Sequence, residues 1–174
     1  MDLKIDFVTG ELWILAWSAS VQRSGLYREN DGHTPENKNR FRQSITKFLS
    51  SEVIPLYKNR IAEEEHYKNI EALIDYAESI KGTLLGDDGY KYGVAQKLLN
   101  LALKYYWCLG RIDEPPHCPV DRIVIGKTKF KSSINWTRIT RKSEYEGVIE
   151  DVKRLARNKG LSVPMWELTI YTRR

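Results

Sequence analysis

The apolar run from Val94 to Leu109 limits the possible folds of this chain more than any other feature. It is entered by Tyr-Gly-Val-Ala-Gln-Lys at positions 92–97 and closed by Gly110 and the Pro115-Pro116 pair. It reads as a strongly apolar helix, of the kind that lies in a core. A turn cluster, Gly86-Asp87-Asp88-Gly89, precedes it. Before that, Ile70, Leu73, Ile74, Ala77 and Ile80 form one stripe of a second helix beginning near Glu63 and capped by Gly82.

The rest of the chain extends this pattern. Thr9, followed by Glu11 and then Leu12, Trp13, Leu15 and Ala16, reads as a capped helix start, with the helix ending near Gly25. Arg28 to Asn37 reads as a loop. Phe41, Ile45, Phe48 and Leu49 fall at helical spacing, and Pro55 limits or kinks the helix beyond them. Pro119 and the cap-type Asp121 point to a helix N-terminus ahead of Ile123-Val124-Ile125. Residues 126–141 read as a polar loop with Phe130, Ile134 and Trp136 turned inward, Ser143-x-x-Glu146 as a capping box, and Ser162 with Pro164 as the start of a last short helix. No stretch alternates apolar and polar residues long enough to require a sheet. The expected fold is mainly α, a single compact helical domain over residues 1–174.

Composition narrows the classes of function. Hydrophobic residues make up 41% and charged residues 29% of the 174, which fits a globular chain rather than a disordered one. No apolar run reaches the length needed to cross a bilayer, and Asp2, Lys4 and Asp6 do not make a secretory signal, so a cytoplasmic protein without a membrane partner is expected. Two cysteines, Cys108 and Cys118, are too few for an iron–sulfur cluster or a Cys-rich zinc site, and Cys108 is expected to be a buried small hydrophobe. His33, His66 and His117 are scattered, so neither metal nor cofactor is expected. Residues 127–174 hold twelve Lys/Arg against five Asp/Glu, a surplus above the whole chain's net charge of +5. That basic C-terminal part suggests a face for a polyanion, with a solvated helix face as the plainer alternative.

Three features carry candidate chemistry. The glycine-bearing turn from Gly86 to Gly93 joins two helices, and its amides, Gly89 and Gly93 included, are candidates to hold a phosphate. Lys97 is placed in the first turn of the following helix, where the helix dipole and dry surroundings favour the neutral, nucleophilic amine. A lysine snorkelling to solvent is the alternative. Asp121 either caps a helix or faces a cationic sugar transition state, and the two roles are compatible. His117 reads as structural or substrate-contacting. Trp13, Trp17, Tyr106 and Trp136 are candidates, with His117, to line a base pocket, although most of the aromatic residues belong in the core.

Gly-Val-Ala-Gln-Lys at 93–97 resembles the Gly-Val-Gly-x-Lys opening of the helix-hairpin-helix DNA glycosylases, and Pro-Val-Asp at 119–121 resembles the segment carrying their catalytic aspartate. The likeness spans residues 86–125 and is nearest in style to the cluster-free archaeal 8-oxoguanine glycosylases. It departs at Ala95, where the hairpin has its second glycine, and at Leu98-Leu99, where a small Thr-Ala pair is usual. The resemblance implies a helix-hairpin-helix DNA-binding element over about 66–109. It also implies a partner of double-stranded DNA containing an altered base, and excision of that base. Lys97 is then the amine attacking the sugar C1′, with strand cleavage by β-elimination afterwards, and Asp121 its assisting carboxylate. Arg138, Arg141, Lys142, Lys153, Arg154 and Arg157 would grip the phosphates. Two other classes stand beside it: a non-enzymatic helical module binding nucleic acid, and an accessory protein-interaction domain of a defence system.

Overall fold

The computed structural model describes residues 3–28 and 33–171. Seven α-helices are present among them: α1 (Leu3–Val21), α2 (Pro35–Phe48), α3 (Glu63–Ile80), α4 (Tyr92–Cys108), α5 (Arg122–Ile125), α6 (Lys142–Arg157) and α7 (Val163–Ile170). A π-helical turn (Leu49–Val53) and a 3-10 turn (Ile54–Lys58, with Pro55 near its start) prolong α2. A second 3-10 turn, Trp136–Arg138, precedes α6. No strand occurs among the described residues. An isolated antiparallel bridge, Tyr27 to Leu85, ties the α1–α2 connection to the α3–α4 connection.

The chain is built around α4. Every residue from Tyr92 to Lys104 is buried, and α1, α3, α6 and the Trp136 turn pack around this helix. Leu98, Leu99 and Leu103 meet Ile70 and Leu73 of α3, Ala16 of α1 and Ile149 of α6 in one apolar cluster. Apolar residues on every face of the helix favour burial on all sides, and the polar side chains among them are carried into the core with it.

Helix ends obey local chemistry. The Thr34 hydroxyl accepts from the Asn37 amide at 3.3 Å, with Pro35 in the first helical position of α2. Ser162 accepts from the Met165 amide at the head of α7, and Gly82 and Gly110 take positive φ just past α3 and α4. Three expectations are corrected. Helix α1 starts at Leu3, not at Thr9, whose hydroxyl instead accepts from the Arg111 guanidinium at 2.8 Å. The cap of α6 lies two residues earlier than Ser143-x-x-Glu146: the Glu144 carboxylate accepts from the amides of Thr140 and Arg141, and Ser143 lies within the helix. Cys108 is exposed rather than buried, because it is the last residue of α4, where the helix leaves the core.

Candidate active site at Lys97 and Asp121

Four polar side chains are buried on α4: Gln96, Lys97, Asn100 and Lys104. Burying such a group is costly without a partner. The side-chain nitrogen of Gln96 donates to the Val120 carbonyl at 2.7 Å, and its oxygen accepts from the Val120 amide at 3.1 Å. Asn100 donates to the Tyr145 hydroxyl at 3.1 Å. Lys104 pairs with Glu167 of α7 at 2.6 Å. Lys97 alone has no hydrogen bond and no carboxylate within ion-pair distance among the described residues. Its ammonium rests instead on the Trp136 ring, 3.9 Å from the centroid. Loss of hydration holds its pKa below the ordinary lysine value; the Asp121 carboxylate opposes that shift and Arg23 reinforces it.

Lys97 sits in the second turn of α4, not the first, because the helix begins at Tyr92. The macrodipole therefore acts on it less than the sequence suggested, and dryness is the dominant cause.

Asp121 is the N-cap of α5. Its Oδ1 accepts from the Ile123 amide at 2.8 Å and from the Val124 amide at 3.1 Å, so the expected capping role is present. The Gln96 clamp on Val120 fixes the preceding peptide, which anchors the carboxylate from the α4 side. Lys97 and Asp121 thus share one electrostatic environment without forming an ion pair.

Five amides from the connection between α3 and α4 and the first turn of α4 are bonded within the protein. Leu84 donates to Lys81, Gly86 to Leu26, Gly89 to Gly86 and Gly93 to Ile139. The Tyr90 amide goes to the Glu78 carboxylate at 2.6 Å, and Glu78 is also paired with Lys81. Gly89 and Gly93 therefore do not present free N–H groups to a phosphate. Each glycine has a packing reason instead: a Cβ on Gly89 would strike Glu78, and one on Gly93 would fall on the Trp136 carbonyl oxygen.

Most of the expected phosphate-gripping residues are engaged as well. Arg141 pairs with Glu144, Lys142 with Glu64, Glu71 and Glu146, Lys153 with Glu63 and Glu150, and Arg154 with Asp151. Arg138 and Arg157 are exposed and have no ion pair among the described residues. The same holds for Arg23, Arg122, Lys127 and Lys131, which no sequence pattern singles out. Arg122 adjoins Asp121, Arg138 lies two residues past Trp136, and Arg23 is sensed by Lys97.

The proposed base-pocket residues fall into separate settings. Trp17 packs edge-on against Phe41, Trp13 lies 6.3 Å from Tyr106, and His117 sits among Tyr67, Tyr145 and His66. Trp136 alone stands at Lys97. Of two surface pockets, one of about 340 Å³ is lined by His33, Arg40 and Lys81, and one of about 280 Å³ by Arg60, Glu63 and Lys153; neither is bounded by Lys97 or Asp121. No group of three or more His, Cys, Asp or Glu side chains among the described residues is placed to hold a metal ion.

A buried polar relay was missed from sequence. Glu63 meets His117 Nε2 at 2.6 Å, and His117 Nδ1 meets the Tyr145 hydroxyl at 2.9 Å. Asn100 bridges Tyr145 to Gln96, and Gln96 ends the path on Val120, beside Asp121. With Glu63 accepting, His117 carries its proton on Nε2 and receives the Tyr145 hydroxyl proton on Nδ1. Burial lowers the pKa of His117, while Glu63, held chiefly by its bond from His117, is pushed down to about 2. The available signal was the pair Gln96 and Asn100, one turn apart inside a largely apolar run.

No helix among the described residues is long and apolar enough to cross a membrane. Set against protein-family models, curated proteins and solved structures, the chain matches none of them.

Proposed function

We propose that this chain is an enzyme acting on DNA, a glycosylase with Lys97 as nucleophile and Asp121 as the carboxylate facing the sugar. One observation carries the reading: among the described residues, Lys97 is the single buried charged side chain on α4 without a hydrogen-bonding or carboxylate partner. The Trp136 ring gives the ammonium a cation–π contact but no counter-charge, and loss of hydration still lowers its pKa, the condition a nucleophilic amine needs. In the proposed reaction the neutral Nζ attacks C1′ of an extruded nucleotide while the N-glycosidic bond breaks. The bonding pair leaves with the base, which takes up a proton. Loss of the ammonium proton and opening of the sugar ring then yield an imine. Asp121, already fixed by two amides, stabilises the positive charge developing on the sugar.

The grip on DNA differs from the one the resemblance implied. With the Gly89 and Gly93 amides engaged, the exposed cations Arg23, Arg122, Lys127, Lys131 and Arg138 supply it. Entry of the sugar requires the Trp136 indole to leave its place over Lys97, after which that ring is available to stack on a base.

The test is a panel of duplex oligonucleotides carrying oxidised, alkylated or mismatched bases, assayed for abasic sites. Base loss from at least one duplex is expected, abolished in Lys97→Gln and strongly reduced in Asp121→Asn, whose amide oxygen preserves the cap. Full activity in Asp121→Asn would remove that residue from the chemistry.

A second reading, a non-enzymatic module binding nucleic acid, draws on the same exposed cations. It predicts salt-dependent binding to unmodified DNA that Lys97→Gln and Asp121→Asn leave unchanged, with no base released.

A further inference from the structure

The pocket of about 280 Å³ lies where four parts of the chain meet: the lead-in to α3 with Arg60 and Glu63, residues 114–116 of the α4–α5 connection, Lys153 of α6 and the start of α7. It is bounded by neither Lys97 nor Asp121. Small-molecule sites typically span about 300–1,000 Å³, so an occupant here is small.

Its charges are of both signs and unevenly spent. Lys153 is committed to Glu63 and Glu150. Glu63 is committed through one oxygen only. Its Oε1 accepts from His117 Nε2 at 2.6 Å and pairs with the Lys153 ammonium, while no hydrogen bond reaches its Oε2 among the described residues. With its pKa pushed down to about 2 by the bond from His117 and by Lys153, Glu63 is an anion at neutral pH. Arg60 and Glu114 have neither an ion pair nor a side-chain hydrogen bond among the described residues. The rest of the wall is apolar and stiff, made of Pro115, Pro116 and Pro164 with Ile61 and Val163.

A ligand of one sign alone does not suit this lining. An anion answers Arg60 but meets two carboxylates, and a cation answers the carboxylates but meets Arg60 and Lys153. A molecule with an ammonium and a carboxylate close together, and an apolar group beside them, answers every part of the wall. We infer that this pocket binds a free α-amino acid with an apolar side chain. Its carboxylate would lie on Arg60, its ammonium between Glu63 and Glu114, and its side chain against the prolines. A guanidinium can hold the carboxylate through two parallel hydrogen bonds, and the ammonium supplies the donor that Glu63 Oε2 lacks. A peptide fits less well, because its first residue has no carboxylate for Arg60.

The inference is independent of the proposed chemistry. Its test is titration of the full chain with L-leucine and with L-phenylalanine, followed through amide chemical shifts by NMR. At least one of the two should bind, with Kd on the order of 0.1–1 mM and shifts centred on residues 60–63 and 114–116. The corresponding amine and the corresponding acid, each lacking one charge, should bind about tenfold more weakly or worse, as should glycine, which lacks the side chain. Arg60→Gln and Glu114→Gln should each weaken binding about tenfold. Both should leave the thermal unfolding midpoint unchanged, since neither group has a partner in the protein to lose. Failure of both amino acids to bind at about 10 mM overturns the inference. So does binding with shifts centred elsewhere, binding that either variant leaves intact, or an amine, acid or glycine that binds as well as the amino acid.

Discussion

Gln96 holds both the amide and the carbonyl of Val120, at 3.1 and 2.7 Å, in the way one strand holds another. A single side chain on the central helix thereby fixes the backbone leading into Asp121, in a part of the protein that has no sheet to do so. Replacing Gln96 with Leu leaves two backbone groups buried and unpaired. A loss of about 2–3 kcal/mol is expected, read as a lowered urea midpoint with an unchanged denaturant slope.

Lys97 makes the opposite prediction. Its ammonium is dry and unpaired, so Lys97→Met should hold or raise stability near pH 7, by up to about 1 kcal/mol. The folded-state pKa lies below that of the unfolded chain, so the unfolded state binds more protons between the two values. Wild-type stability should therefore rise with pH through that window towards the ordinary lysine value, and the Met variant should lose this rise. Chemical denaturation at pH 7 and pH 10 checks both points.

Glu63 works in the other direction. Its pKa is pushed down to about 2 from 4.5, chiefly by the bond from His117 and also by Lys153. The stability it contributes is fully present above pH 4.5 and fades as the pH falls towards 2. Because the carboxylate is about a third exposed, screening reduces the effect to about 1 kcal/mol. Glu63→Gln should lower stability at pH 7 by that amount and leave it little changed at pH 2.5, measured by thermal unfolding at both values.

Gly93 is a packing requirement. A Cβ there would land on the Trp136 carbonyl oxygen, so Gly93→Ala must displace the Trp136 turn. A cost of about 1–3 kcal/mol is expected, together with a change in tryptophan fluorescence as the indole leaves the Lys97 side chain.

How far this was legible in the sequence differs from element to element. The helices around the Val94–Leu109 run, the cap at Asp121 and the start of α7 at Ser162 rest on local spacing and capping chemistry, which a sequence displays directly. Thr9 misled because its hydroxyl serves Arg111, a partner one hundred and two residues away that local pattern cannot reveal. The hairpin glycines misled for a related reason: Gly89 and Gly93 make room for Glu78 and for the Trp136 backbone. The basic C-terminal part looked like one cationic surface, but four of its cations are paired with carboxylates, several of them on α3. Lys97 and Asp121 do lie in one electrostatic setting, and the partner that distinguishes the site, Trp136, comes from a loop whose path no periodicity fixes.

Whether the Lys97 amine is set apart for attack on a sugar carbon is tested most directly by reductive trapping. Duplex DNA with a single abasic site is incubated with the protein and borohydride, and the linked peptide is identified by mass spectrometry. A covalent adduct on Lys97 is expected, lost in Lys97→Gln. Absence of any adduct, or an adduct on other lysines that persists undiminished in Lys97→Gln, would contradict the proposed role.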